Sequence, residues 1–366
     1  MSRLESLRAR FALAAIATLA GCSSSAHVSP SASQTFADHA RLSAVAEQGL
    51  SVNGVPFVGS RQAWINLFNA APAAHRSVPP NLDVAPEKAT PWGASVFVSD
   101  FGTQTSPGAV YQFASKKNGK LLGTISDVVN PQGMDTDSNG NLWVASTGNS
   151  TIREYPKGKF VATTVLSDND EFPVSVAVCP NGTIYGSNAD DYSQLPGNIV
   201  IYASGSTSPT GTVPETNIFR SYFVACDQSN TLWFDYINLS NQPAVASYNG
   251  TTVTEYGSLG LTPYEAPGGI RASNDGKTLA IVDQSAAQID FFTKSNLSQG
   301  PYLKLGNVFT LPVSFSFIKS QKNVWVADDT KLEALEVTLK GKVPATVGTG
   351  TLVTPIDAFV FPAGNT

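Results

Sequence analysis

The segment Pro131–Tyr155, PQGMDTDSNGNLWVASTGNSTIREY, contains the pattern that decides the fold. A strand opened by a proline runs into the turn Asp137-Ser138-Asn139-Gly140, and an apolar triplet centred on Trp143 follows. A further strand then ends at Tyr155. Asn, Asp and Gly tolerate the positive φ that short hairpins need, so the turn predicts that the first two strands form a hairpin.

The apolar triplet recurs along the chain. Its central residues are Phe97, Trp143, Tyr185, Trp233, Ala280 and Trp325. They recur with a period of about 45 residues, which is typical of propeller blades. A third strand follows most triplets, and a fourth, such as Phe160–Leu166, comes after it. Each unit therefore predicts four antiparallel strands, with the triplet aromatics packed between blades.

The first unit lacks an opening strand, because the repeat starts directly at the triplet Val96–Val98. The missing strand is found at the other end of the chain, where Pro355–Phe361 resembles the proline-initiated openings of the other units. We therefore predict an all-β fold over residues 91–366: a six-bladed β-propeller of four-stranded antiparallel blades, closed by the C-terminal strand. Such closure protects strand edges that would otherwise be exposed.

The N-terminus has the pattern of an export signal. Three arginines precede the apolar run Phe11–Leu19, which is about half the length of a membrane span. The run ends in Leu19-Ala20-Gly21-Cys22, which resembles the lipobox of bacterial lipoproteins. That resemblance implies that residues 1–22 are the signal segment, with Cys22 as the lipidated N-terminus of the mature chain. Several acyl chains on Cys22 would anchor the chain stably in the membrane.

Lipidation implies a location in the cell envelope. Ser23 follows the cysteine where an Asp would imply retention at the inner membrane, so the outer membrane is implied if the organism has one. Residues 23–90 are polar and proline-rich, and they predict a flexible tether with a short helix at 61–71.

The pattern in Pro131–Tyr155 resembles NHL-repeat, streptogramin-lyase-like and gluconolactonase-like propellers. Similarity to the lyases implies a histidine base in the propeller, but the three histidines, His27, His39 and His75, all precede it. Similarity to gluconolactonases implies a divalent cation in the central channel, held by Glu, Asn and Asp. Their opening Glu-Gly-Pro-x-Trp motif is missing, and the nearest segment is Thr90-Pro91-Trp92-Gly93.

Three aspartates share one register, two residues after their triplets: Asp100, Asp283 and Asp328. Such hard oxygen ligands suit Ca²⁺, so they are the candidate metal ligands. The alternative, which the recurrence favours, is that they accept hydrogen bonds from nearby backbone amides. The opening strands line the channel of a propeller, and they supply Asp135 and Asp357 as candidate channel-lining carboxylates.

The remaining acidic and thiol groups predict no site by themselves. Asp190-Asp191, Asp235 and Asp329 are interpreted as solvated loop charges. Cys179 and Cys226 lie near the ends of neighbouring opening strands, where a disulfide would be compatible with export. Aligned by blade, they are one residue out of step, so we expect their side chains to face opposite ways.

Two functions stay open. The net charge is −5 and no basic cluster is present, which argues against nucleic-acid binding. The sequence favours a non-catalytic binding or scaffold lipoprotein with a protein or small-molecule ligand at a propeller face. The alternative is a metal-dependent hydrolase or lactonase of the gluconolactonase-like kind. The binding role is favoured because the propeller lacks histidine and a complete catalytic motif. No cofactor is expected for the binding role, whereas the hydrolase would require Ca²⁺ or another divalent cation.

Overall fold

The computed structural model describes residues 92–103, 106–168, 171–191, 196–240, 242–262 and 267–361. The predicted signal segment 1–22 with Cys22, the tether 23–90 and its helix at 61–71 lie outside these residues. Within the described ranges, no helix has the length and apolar character needed to cross a membrane.

The described chain is built almost entirely of short strands. The first twelve are β1 (Ser95–Asp100), β2 (Ala109–Ala114), β3 (Leu121–Ile125), β4 (Pro131–Thr136), β5 (Leu142–Ser146), β6 (Thr151–Tyr155), β7 (Thr164–Ser167), β8 (Glu171–Val178), β9 (Ile184–Asp191), β10 (Pro196–Tyr202), β11 (Gly211–Thr212) and β12 (Ile218–Cys226). The next twelve are β13 (Leu232–Asn238), β14 (Pro243–Tyr248), β15 (Val253–Gly257), β16 (Pro267–Ala272), β17 (Thr278–Asp283), β18 (Gln288–Thr293), β19 (Leu303–Leu305), β20 (Pro312–Phe317), β21 (Asn323–Asp328), β22 (Glu333–Thr338), β23 (Ala345–Val347) and β24 (Pro355–Phe361). Within the described ranges there are also two 3₁₀ helices, at Thr147–Asn149 and Lys294–Gln299.

These strands form six four-stranded sheets, and each sheet is one blade of the propeller. Blades 2 to 6 are consecutive along the chain: β4–β7, β8–β11, β12–β15, β16–β19 and β20–β23. Blade 1 has the order β24-β1-β2-β3, so its innermost strand comes from the end of the chain. All strand pairs within the blades are antiparallel. The predicted six-bladed β-propeller is confirmed.

Closure of the ring depends on the pairing of β24 with β1. Phe359 lies opposite Phe97 and Asp357 lies opposite Ser99 in this antiparallel pair. Phe359 is fully buried, in an apolar cluster with Met134 and Tyr155 of blade 2. The last strand therefore completes blade 1 and also packs against its neighbour.

The core consists of apolar layers between adjacent blades. Because each blade packs against a neighbour on both faces, its central strands are apolar on both sides. The six triplet centres are all buried, and Trp325 of blade 6 packs with Phe113 and Val360 of blade 1. The prediction that these residues form inter-blade core is confirmed.

The opening strands share an irregularity near their starts. The pairing register shifts between Pro131 and Met134, and blades 5 and 6 shift at the equivalent place. Proline is accommodated at the first residue of a strand, and a bulge bends the strand that carries it. The residues within each bulge lie at the centre of the ring.

Candidate functional site

The central channel is narrow because small residues recur two positions after the prolines of the opening strands. A side chain added at Gly133 would collide with Ser175 of the next blade, and one added at Gly269 would collide with Ser314. The strands of neighbouring blades therefore approach too closely to leave an open tunnel at this level.

The buried side chain of Arg271 lies in the channel. The Nε of Arg271 on β16 donates to the carbonyl of Phe315 at 3.0 Å. Its Nη2 donates to the carbonyl of Met134 and to Asp357 Oδ2, both at 3.0 Å, and its Nη1 donates to the carbonyl of Val224 at 3.4 Å. These partners belong to blades 6, 2, 1 and 4, so one guanidinium joins the inner strands of five blades.

The two predicted channel carboxylates complete this network. Asp357 Oδ2 also accepts the backbone N–H of Met134 at 2.9 Å, and Asp135 Oδ2 accepts the backbone N–H of Val178 at 2.8 Å. The second bond ties blade 2 to blade 3, so the network reaches all six blades. Burial raises the pKa of Asp135 to about 6, against the opposing effect of Arg271. Burial likewise raises the pKa of Asp357, and Arg271 again opposes it.

At the other end, apolar side chains close the channel. One buried cluster contains Phe101, Phe172, Phe223, Val313 and Ile356. They come from blades 1, 3, 4 and 6, and all except Phe101 lie on the innermost strands of their blades. This end of the channel is therefore an aromatic and aliphatic plug.

A small cavity of about 110 Å³ remains where the opening strands end. Asp135 and Arg271 line it, together with Ala225 and the two cysteines Cys179 and Cys226. The acidic and basic side chains at its base are those of the network that joins the blades.

Cys179 and Cys226 form a disulfide in the wall of this cavity, with their Cα atoms 5.1 Å apart. The expectation that their side chains face opposite ways is wrong. Cys179 lies one residue beyond the end of β8, so the alternation of side chains along that strand does not set its direction. Cys226 is the last residue of β12, and the bond joins blades 3 and 4.

Each candidate metal ligand accepts hydrogen bonds from backbone amides of two segments: the loop that leads into its own blade and the turn that follows the aspartate. The carboxylate of Asp100 accepts from the backbone N–H groups of Gly102, Val353 and Thr354. The carboxylate of Asp283 accepts from Thr262 and Ala286, and that of Asp328 accepts from Thr310, Leu311 and Lys331. The structure does not bring the three carboxylates together. Among the described residues, no group of three His, Cys, Asp or Glu side chains could hold a metal ion.

Two aspartates that were expected to be solvated are buried. Asp235 Oδ1 accepts the backbone N–H of Phe223 at 2.9 Å, and burial raises its pKa well above the ordinary value. Burial, with added repulsion from Asp100 and Asp328, raises the pKa of Asp329 to about 7. Their interpretation as solvated charges is wrong, because both side chains are buried. Asp190 and Asp191 end β9, and their side chains lie outside the described residues.

A second buried polar cluster lies between blades 2 and 3. The Tyr202 hydroxyl donates to Asp168 Oδ1 at 2.8 Å, and Asn188 Nδ2 donates to Glu171 Oε2 at 2.7 Å. Burial raises the pKa of Asp168 to about 8, although the bond from Tyr202 opposes this. Asp168 is therefore a neutral acid at low pH and gains its charge only near pH 8.

Sequence reasoning missed Arg271, which is central to the channel. The sequence does contain a pattern that could have located it: Arg271 follows Pro267 by the same number of residues as Asp135 follows Pro131. Aligning the opening strands would have placed an arginine and an aspartate at one level of the channel.

Comparison with known proteins supports the fold. No protein-family model and no curated protein matches the chain. A solved structure described as the crystal structure of a nidogen/laminin complex is similar, with a TM-score of 0.59 and 14% sequence identity. The similarity covers 73% of this chain and 98% of that one. At this identity the match establishes a shared propeller fold.

Proposed function

We propose that the chain is an envelope-anchored, non-catalytic β-propeller lipoprotein that presents a rigid ring for binding a partner. The observation that carries the proposal is the set of bonds from Arg271 to the inner strands of the surrounding blades. In this arrangement the channel arginine and its partner Asp357 hold the ring together. A rigid ring with variable loops is a scaffold on which binding surfaces are commonly built.

A location outside the cytoplasm is supported by two features. The lipobox-like segment ending at Cys22 implies lipidation, and the Cys179–Cys226 bond is of a kind that persists in oxidising compartments. The proposed arrangement is a lipid on Cys22, a tether over 23–90 and a propeller held at the membrane surface.

A protein is the partner class we propose for a face of the ring. The similar solved propeller is described as part of a complex between two proteins, so a ring of this fold is compatible with a protein partner.

The anchor is tested by detergent phase separation of the wild-type chain and Cys22→Ala in a bacterial host. We expect the wild type in the detergent phase and the variant in the aqueous phase, with Ser23→Ala behaving as wild type. Equal distribution of wild type and Cys22→Ala would contradict lipidation.

The binding role is tested against the enzymatic alternative on the full chain carrying Cys22→Ala. A screen of lactone hydrolysis with and without Ca²⁺, Mn²⁺ and Zn²⁺ should show no turnover above the buffer. Cross-linking in intact envelopes should capture a partner protein with the lipidated wild type. Metal-dependent turnover would replace this proposal with the gluconolactonase-like hydrolase.

A further inference from the structure

A second concave surface lies on the side of the ring, between the outer halves of blades 4 and 5. Its volume is about 590 Å³, within the range of small-ligand sites. Most of its lining side chains carry neutral hydroxyl or amide groups: Ser229, Thr231, Ser247, Asn249, Thr252, Thr254, Thr293 and Ser295. We refer to this surface as the hydroxyl groove.

Strand register explains why the hydroxyls share one face. Trp233 on β13 pairs with Ser247 on β14, which pairs with Thr254 on the outermost strand β15. Directly paired residues point to the same side of a sheet, so the face of blade 4 is apolar near the centre and polar towards the rim. Tyr256 extends this face along β15 because side chains alternate along a strand, and Thr252 lies just before that strand.

The floor of the hydroxyl groove is aromatic. The rings of Trp233 and Tyr256 stack with centroids 5.5 Å apart and an angle of 23° between their planes. Trp233 is buried and Tyr256 is partly exposed, with its hydroxyl 3.1 Å from Ser247 Oγ. The partly exposed tyrosine ring therefore lies among hydroxyl groups in the groove.

The charges at the inner end of the groove neutralise each other. Lys294 Nζ lies 2.6 Å from Asp227 Oδ2, and Trp233 Nε1 donates to the same oxygen at 3.0 Å. Lys294 also lies over the Trp233 ring, 5.8 Å from its centroid. The ion pair fixes the tryptophan that supports Tyr256. The other charged side chain of the lining, Lys277, is exposed and acts on the carboxylate of Asp275.

We propose that the hydroxyl groove binds a neutral saccharide. A sugar ring has an apolar C–H face that suits an aromatic ring, and its hydroxyl groups suit a lining of Ser, Thr and Asn. The inference deepens the proposed binding function, on which it rests, by naming a ligand class at the side of the ring.

The experiment titrates the full chain carrying Cys22→Ala with a panel of neutral oligosaccharides of glucose, galactose, mannose and N-acetylglucosamine, followed by calorimetry and saturation-transfer NMR. We expect saturable binding of at least one sugar. Tyr256→Ala should weaken it by about tenfold, equivalent to about 1.4 kcal/mol. Tyr256→Phe, which keeps the ring, should retain most of the affinity.

Matched controls are Tyr302→Ala, an exposed tyrosine outside the groove, and Thr212→Ala on the outermost strand of blade 3. Both should bind as the parent chain does, and circular dichroism should show that all variants fold as it does. No binding across the panel, or equal binding by a folded Tyr256→Ala variant, would overturn the saccharide inference. Either result leaves the envelope-anchored, non-catalytic role intact, because that role is tested by phase separation, partner capture and lactone turnover.

Discussion

Nη2 of Arg271 lies 3.0 Å from Oδ2 of Asp357, and these two buried side chains come from opening strands of blades 5 and 1, 86 residues apart in sequence. A buried charge is stable only when it is paired and its remaining hydrogen-bonding groups are satisfied. Arg271 meets this condition by donating to carbonyl groups of three other blades as well. The pair therefore links ring closure to the centre of the channel.

Arg271→Met should lower the free energy of unfolding by about 3–5 kcal/mol, because it leaves Asp357 buried without its counter-charge. Urea denaturation followed by circular dichroism measures this. Lys304→Met, which removes an exposed lysine 3.9 Å from Asp290, is the control and should cost at most about 1 kcal/mol. Equal, small losses in both variants would show that the guanidinium does not hold the blades together.

Phe359→Ala should cost about 3–5 kcal/mol, because the ring is fully buried between blades 1 and 2 and its loss leaves a cavity. Val353→Ala, at a side chain that is 50% exposed just before β24, should change stability by about 0.5 kcal/mol or less. Deleting residues 355–366 should destabilise the chain more than Phe359→Ala does. A melting temperature unchanged by the deletion would refute closure by the last strand.

The disulfide should stabilise the propeller by about 2–4 kcal/mol, since it closes a long segment of chain between two blades. In the full chain carrying Cys22→Ala, no thiol should react after denaturation, and two should react after reduction. Adding Cys179→Ala and Cys226→Ala should reduce the free energy of unfolding by the same amount under oxidising conditions. Two free thiols in the oxidised protein would contradict the bond.

Because the pKa of Asp168 is raised, we expect the free energy of unfolding to fall as pH rises. Its folded-state pKa of about 8 lies above the ordinary value of 3.8, so its contribution is fully present below about pH 4 and is lost as pH rises through 8. Asp168→Asn, a neutral isostere, should flatten the dependence of the melting temperature on pH between about 4 and 8.

Asp290→Asn serves as the control variant when the melting temperature is measured as a function of pH. Burial raises the pKa of Asp290 to about 6, with Lys304 opposing, so this substitution should flatten the curve only up to about pH 6. If Asp168→Asn leaves the slope between pH 6 and 8 unchanged, Asp168 does not titrate in that range.

Asp328 should stabilise its loop through hydrogen bonds to backbone amides whether or not Ca²⁺ is present. Asp328→Ala removes the acceptor of three backbone amides and should cost about 1–3 kcal/mol, equally with and without added Ca²⁺. Ser320→Ala, at an exposed hairpin position, is the control and should be nearly neutral. A rise in melting temperature on adding Ca²⁺ that disappears in Asp328→Ala would instead support the metal-dependent alternative.

The fold could be predicted because its evidence is local and repeated. Most blades carry their own turn, triplet and proline, and the strand Pro355–Phe361 matched the opening that was missing at the start of the repeat. The candidate site could be predicted only in part. Asp135 and Asp357 were placed by their position in an opening strand, whereas Asp235 and Asp329 were assigned to solvent because their burial depends on the adjacent blade.

The sequence by itself determined the class of fold, the number of blades and the strand that closes the ring, because turn chemistry and strand alternation act over a few residues. Only the tertiary structure decided which side chains meet across blades. The partners of Arg271 and the Cys179–Cys226 bond depend on how bulged strands and turn residues come to lie beside one another in space. Those contacts join residues that are far apart in the chain, and a local pattern carries no information about their separation.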